Sequence, residues 1–266
     1  MAEPVVALLD QVWSSIEEMC ASFTPADWSK QTDLPGWSVQ DQLAHLCGIE
    51  SLLLGRPQPA ALAQPWPPHV RNELGAMNEA QIEERRAWAP EDVLTEFLEL
   101  TAERLKVLAE LSPAEMDAEV TGPLGKGKLR DFLQIRVMDS FLHEQDMRRA
   151  TGNPGSMDGE AASFAVGRMN AALPYVVAKK AGVAEGASVA FEITGPAGFT
   201  GAVVVEGGRG RFEEGNASGA TATLTMDAET FLMLTSGRIA PDRATVTVTG
   251  DDALAGRVLD SINVLF

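Results

Sequence analysis

The sequence predicts an α+β protein in two parts: a helical bundle over residues 1–155 and a smaller α+β domain over residues 156–266. Three observations predict it. Apolar residues recur at helical spacing through the first half. Short β-rich runs separated by Gly and Pro turns begin near residue 187. The change of pattern falls near residue 155, after a Thr151-Gly152 helix stop.

In the first half, Val5, Leu8, Leu9, Val12, Trp13, Ile16 and Met19 form one apolar face of a helix over 4–23. Thr24-Pro25-Ala26-Asp27-Trp28 reads as a short helical turn with Thr24 as cap and Pro25 at the first helical position. Asp33-Leu34-Pro35-Gly36 is turn chemistry. Ser38 with Asp41 three residues on resembles a capping box and starts a helix over 38–54. Five prolines within 56–68 exclude a regular helix there. Helices are expected again over 69–87 and 90–111, the second carrying Val93, Leu94, Phe97, Leu98 and Leu105. Thr121–Lys128 is a glycine-rich loop, read as a flexible turn in preference to an anion cradle at a helix start. A last long helix runs from Lys128 or Leu129 to Thr151. Four principal helices joined by loops pack best as a bundle.

In the second half, residues 157–182 read as a linking helix. Strands are expected at 188–194, 200–205, 220–225 and 244–249, a short Asp-capped helix at 227–234, and a closing helix over 251–264. No internal repeat is evident.

The formal net charge of −17 disfavours a nucleic-acid partner, whose phosphates the chain repels. No apolar run approaches the roughly 20 residues that span a bilayer, and the first residues lack the basic start of a secretory signal, so a cytoplasmic protein without a membrane partner is expected. Cys20 and Cys47 are too few for a disulfide framework. Cys47, two residues after His45, reads as a buried small side chain rather than a thiolate. The oligomeric expectation is a monomer or homodimer.

The three histidines focus attention on a metal. Asp139 and His143 stand four residues apart and share a helix face, the spacing by which one helix donates two ligands. His45, on another helix, is the best-placed third ligand. Two imidazoles and a carboxylate suit Zn²⁺ with a fourth position open, and equally Fe(II), Ni(II) or Mn(II). Asp146 competes as a ligand or as an acceptor for an imidazole N–H. Glu144 points about 100° away from His143.

Leu34-Pro-Gly-Trp-Ser-Val-Gln-Asp-Gln-Leu-Ala-His45-Leu46 resembles the first signature of the DinB-like superfamily, and Arg136-Val-Met-Asp139-Ser-Phe-Leu-His143-Glu-Gln-Asp146 resembles its second. More narrowly, the chain resembles the mycothiol-dependent maleylpyruvate isomerase family, which joins a DinB-like four-helix bundle to a C-terminal domain similar to sterol-carrier-protein-2 folds. Met226–Arg238 and Val248–Leu254 match that domain's pattern, so the resemblance covers almost the whole chain. It implies metal ligands at His45, Asp139 and His143. The family's middle ligand is typically Glu, so the shorter Asp139 implies a looser or shifted site. It also implies Zn²⁺ and mycothiol, or a similar thiol, as cosubstrate.

The resemblance implies a metal- and thiol-dependent isomerase or S-transferase acting on a small electrophile. The alternatives are a non-catalytic ligand-binding protein and a metal-dependent hydrolase, the latter with only Glu50 or Glu144 as a general base. No nucleophile elbow, phosphate loop or dinucleotide fingerprint is present. Arg238, in the Gly237-Arg238 match, is the expected catalytic cation. Arg85 and Arg86 are candidate cofactor-binding cations, with a solvated helix face as the plainer reading. Trp37 is a candidate wall of the cleft, or a plug at its helix N-terminus.

Overall fold

The computed structural model describes residues 3–122, 125–215 and 217–265. The chain divides into two compact units, Met1–Gly155 and Ser156–Phe266. The first is helical and the second is built on a sheet. Among the described residues, no helix is long and apolar enough to cross a membrane.

The first unit opens with α1 (Pro4–Cys20), which buries Leu9, Val12, Trp13 and Ile16 on one face. A short α2 (Pro25–Trp28) is closed by a Thr24/Asp27 capping box. The turn that follows needs Gly36, whose φ is +81° and where a Cβ would lie 2.7 Å from His69 Nδ1. It delivers the chain to α3 (Val39–Leu53), capped by Ser38 and Asp41 as the sequence predicts.

The next helix, α4 (Glu73–Glu83), is shorter than the expected 69–87. Asn72 sets its start by accepting the Gly75 N–H at 2.8 Å, just after a turn in which Pro67 O accepts from Val70 N–H at 2.9 Å. α5 (Pro90–Ala109) has Pro90 in its first turn. A short α6 (Pro113–Met116) leads into β1 (Glu119–Gly122) and β2 (Gly125–Lys128).

These two strands pair antiparallel, so the expected glycine-rich loop is a hairpin on both sides of the undescribed residues 123–124. Its strands hold no buried residue, so no apolar alternation announced them. α7 (Leu129–Thr151) ends at Gly152, whose φ of 69° is the left-handed stop. α1 packs on α7 and α5, while α3 packs on α5, α4 and α7.

Gly48 explains how closely α4 approaches α3, since a Cβ there would sit 2.7 Å from Gln81 Cβ. Gly48→Ala gains helix propensity but overpacks this contact. The expected net result is a loss of about 1–3 kcal/mol, read by thermal melting.

The second unit starts with α8 (Glu160–Asn170) and α9 (Leu173–Tyr175), followed by a π-helical turn over Val176–Lys180. The single linking helix expected over 157–182 is therefore broken. Pro174 lacks an N–H and its ring conflicts with the carbonyl four residues back, which ends the regular ladder.

Five strands follow: β3 (Ser188–Thr194), β4 (Phe199–Glu206), β5 (Arg209–Glu214), β6 (Ala222–Asp227) and β7 (Thr247–Gly250). Their order is β5-β4-β3-β6-β7. β3 and β6 are parallel and the other pairs antiparallel. The edge strand β5, Arg-Gly-Arg-Phe-Glu-Glu, is too charged to read as a strand by composition. Helix α10 (Ala228–Thr235) is capped by Asp227 and α11 (Asp252–Ser261) by Asp251. The mixed fold class is as the sequence predicts.

Candidate metal centre

Two helices of the first unit build the centre. α3 carries His45, and α7 carries Asp139 and His143 one turn apart. One donor atom from each of the three lies within 4.8 Å of the other two. His45 Nε2 is 3.5 Å from Asp139 Oδ2, and His143 Nε2 is 3.5 Å from Asp139 Oδ1. Ligands on a tetrahedral Zn²⁺ with bonds near 2.0–2.1 Å stand roughly 3.3 Å apart, so each separation suits a ligand pair, the two using different oxygens of Asp139. The shorter Asp139 thus reaches both rings.

Both imidazoles are buried. His45 Nδ1 has no hydrogen-bond partner. Burial pushes its pKa down to about 4, against the opposing pull of Asp139, so the ring is neutral at pH 7 and keeps a lone pair for a cation. Burial alone would push Asp139 up. Its contacts with the His143 ring and the Arg136 guanidinium outweigh it and hold the carboxyl well below the usual carboxylate range.

The His143 tautomer follows from its neighbours. Thr32 Oγ1 donates to Trp37 O at 2.8 Å, so its lone pair accepts Gln42 Nε2 at 2.6 Å. The amide oxygen of Gln42 is thereby turned to His143 Nδ1. An amide oxygen only accepts, so Nδ1 carries the proton and Nε2 offers its lone pair beside Asp139. Gln42→Leu removes this acceptor and is expected to weaken metal affinity about 10–100-fold, read by competition with a chelator.

Two further sets of contacts hold the site. Trp37 lies with its ring centroid 5.2 Å from His45 and 5.9 Å from His143. Its indole N–H donates to buried Glu79 at 2.8 Å, and Glu79 also meets His69 and Arg86. On the other side, Arg136 donates to Asp139 Oδ2 at 2.6 Å and to Glu50 Oε1 at 2.9 Å. Glu50 in turn accepts from Arg104 at 3.1 Å. The chain Arg104–Glu50–Arg136–Asp139 is buried except at its last member, whose side chain is 29% exposed.

That exposure opens onto a chamber of about 300 Å³ within the first unit. α3 contributes His45, Ile49, Leu52 and Leu53; α7 contributes Phe132, Ile135, Arg136 and Asp139; α4 contributes Leu74, Met77 and Asn78. On each helix these positions recur at intervals of one, three or four, a single stripe facing the space. Thr121 and Gly122 of the hairpin complete the lining.

The remaining sequence-selected residues fall as follows. Trp37 packs on the ligand rings and thus walls the centre. Arg85 is buried and binds Glu96 through two contacts, at 2.6 and 2.7 Å. Arg86 meets Asp41, Glu79 and Glu83. Both guanidiniums are therefore engaged with carboxylates of the bundle. Asp146 Oδ2 stands 3.7 Å from His143 Nδ1, outside hydrogen-bond range, and its other oxygen accepts from Arg149 at 2.6 Å.

Glu144 faces away, accepting from Ser15 at 2.7 Å and Arg148 at 2.8 Å. With Glu50 held by two arginines, both carboxylates weighed as hydrolytic bases already have cationic partners. Cys47 is fully buried and burial raises its thiol well above the usual range; burial pushes Cys20 up to about 12. Arg238 lies in the second unit, half-buried after α10, with Nη1 3.2 Å from Ser236 O.

Sequence reasoning missed Gln42, Glu79, Arg104 and Arg136 and gave Glu50 a different role. The available signal was polar residues at helical spacing on otherwise apolar faces, such as Gln42 three before His45 and Arg136 three before Asp139.

Residues 9–148 match the family model described as "Mycothiol maleylpyruvate isomerase N-terminal domain", and residues 163–257 match "MDMPI C-terminal domain". The chain belongs to the mycothiol maleylpyruvate isomerase family. Among solved structures, a mycothiol-dependent maleylpyruvate isomerase of this family aligns with a TM-score of 0.55 at 14% identity, over 92% of this chain and 91% of that one. A histidine-to-alanine mutant of a mycothiol-dependent maleylpyruvate isomerase aligns at 0.54 and 14%, over 91% of each chain. These likenesses show that the family fold is shared along nearly the full length. No curated protein sequence matches the chain.

Proposed function

We propose that the protein is a metal-dependent isomerase or S-transferase that uses a low-molecular-weight thiol, mycothiol or a close equivalent, against a small electrophile. The observation that supports it most is the meeting of His45, Asp139 and His143 beside a chamber whose lining, among the described residues, holds no cysteine, serine or lysine. Both cysteines are buried with raised pKa values, so the attacking sulfur is brought in with a cosubstrate. Family membership supports a thiol in that role.

His45, Asp139 and His143 would hold the divalent ion, our candidate being Zn²⁺, which would supply an open coordination position and the charge that lowers a thiol's pKa. The protein's own residues do the rest. Gln42 keeps His143 in the tautomer with a free Nε2. Arg136 fixes the Asp139 carboxylate and balances its charge. Trp37 shields the two rings from water on one side. The chamber holds the electrophile.

In the isomerase form the thiolate adds to a cis double bond, whose π electrons move onto the conjugated carbonyl oxygen. The new single bond rotates, the electrons return and the thiolate leaves, with no net oxidation or reduction. In the transferase form the adduct keeps its sulfur and takes a proton. Arg238 is our candidate cation for an anionic group of thiol or electrophile, and its second-unit fold is our candidate for a sterol-carrier-protein-2-like module. A cytoplasmic location accords with this chemistry.

The test is thiol-dependent conversion of a panel of electrophiles, followed as thiol consumed or as cis–trans isomer formed, with and without zinc. Wild-type protein should convert electrophile only with both thiol and metal present, and Asp139→Asn should lose at least about 100-fold of kcat/KM. Equal thiol-dependent conversion by zinc-free protein, or by Asp139→Asn, refutes the proposal.

A further inference from the structure

The chamber's lining says more about the electrophile than the family name does. Apart from His45, its charged members are Arg136 and Asp139, and these already pair with each other at 2.6 Å. Arg136 is engaged a second time by Glu50. Around them stand Ile49, Leu53, Met77, Phe132 and Ile135, all only half-buried although they sit on helices whose core-facing neighbours, such as Leu133 and Val137, are 0% exposed. They turn toward the chamber instead of the core. At the mouth, Leu52 and Leu74 are each 37% exposed, so the apolar surface continues to solvent. Asn78 and Thr121 are the uncharged polar side chains of the lining, and Asn78 Oδ1 is buried without a hydrogen-bond partner.

We infer that the chamber takes an electrophile with an apolar body, an aryl or branched aliphatic group of roughly ten heavy atoms. The inference rests on the thiol-dependent reading above and names its substrate class. A compact dicarboxylate keto acid does not suit this lining. Each carboxylate would lose its water, and Arg136, the guanidinium of the lining, is already paired with Asp139 and Glu50. An apolar body instead releases water from the half-buried side chains on both faces of the contact.

The experiment uses the full-length zinc-loaded protein and compares benzylideneacetone, a neutral aryl enone, with maleylpyruvate. Calorimetry without thiol measures binding, and thiol-dependent conversion of each electrophile, as adduct or isomer formed, measures turnover. The enone should bind, and its kcat/KM should exceed that of maleylpyruvate at least tenfold. Leu53→Gln and Met77→Gln, both away from the ligands and from the fully buried core, should each weaken enone binding by about fivefold or more with metal content unchanged. Preferred turnover of maleylpyruvate with no measurable enone binding overturns the inference and leaves the thiol reading standing. Enone binding that responds to both variants, with neither electrophile converted in a thiol-dependent way, supports the chamber assignment and overturns the thiol reading instead.

Discussion

His143→Ala is expected to purify without stoichiometric metal, and its affinity for Zn²⁺ should fall by more than about 100-fold. Loss of a residue that merely orients a ligand costs 10–100-fold, and loss of the ligand itself exceeds that. His143 supplies one of three donors within 4.8 Å of one another, and its Nε2 is 3.5 Å from Asp139 Oδ1. With two donors left, solvent must fill half the coordination sphere. The fold should survive, because α7 is anchored by Leu133, Val137 and Phe141, each fully buried. Elemental analysis and a chelator competition read the affinity, and circular dichroism reads the fold. Metal content equal to wild type would remove His143 from the ligand set.

Glu50→Ala is expected to cost about 3–5 kcal/mol of stability. Glu50 is 1% exposed and stands between Arg104 and Arg136, themselves 7% and 6% exposed. Removing it leaves two buried guanidiniums with one fewer carboxylate between them. Truncating one partner of a buried ion pair destabilises far more than replacing the whole cluster with apolar groups. Freed from Glu50, Arg136 also bears harder on Asp139, with which it already forms a 2.6 Å hydrogen bond. Metal affinity should therefore fall together with the melting temperature. Glu50→Gln keeps an acceptor for one arginine and should recover part of both losses. A melting temperature within about 1 °C of wild type for Glu50→Ala would show that the cluster does not stabilise the bundle.

Much of the centre was readable from residue spacing. The Asp139–His143 interval needs only helical geometry, and the Ser38/Asp41 cap that starts the His45 helix is a local signal. That His45 meets them is a tertiary fact; it stands out in the sequence as the best-placed histidine on another helix, and the family resemblance implies the same ligand. The supporting residues were hidden for the same reason. Gln42 and His143 are 101 positions apart, and Arg136 and Glu50 86. No periodicity connects such positions.

Among elements, those with local punctuation were legible: Pro4, Ser38, Pro90, Gly152 and Asp227 mark ends that the structure keeps. The hairpin β1–β2 and the edge strand β5 were not, because backbone pairing builds them from residues with little apolar alternation. The break in the 157–182 helix has a local signal in Pro174, which stands inside an otherwise apolar helical run.

X-ray absorption at the zinc edge tests the central claim most directly. The zinc-loaded protein should show one ion per chain with two imidazole nitrogens and a carboxylate oxygen at about 2.0–2.2 Å, and on addition of the thiol one sulfur at about 2.3 Å. A spectrum lacking imidazole scattering, or one that the thiol leaves unchanged, would contradict the account.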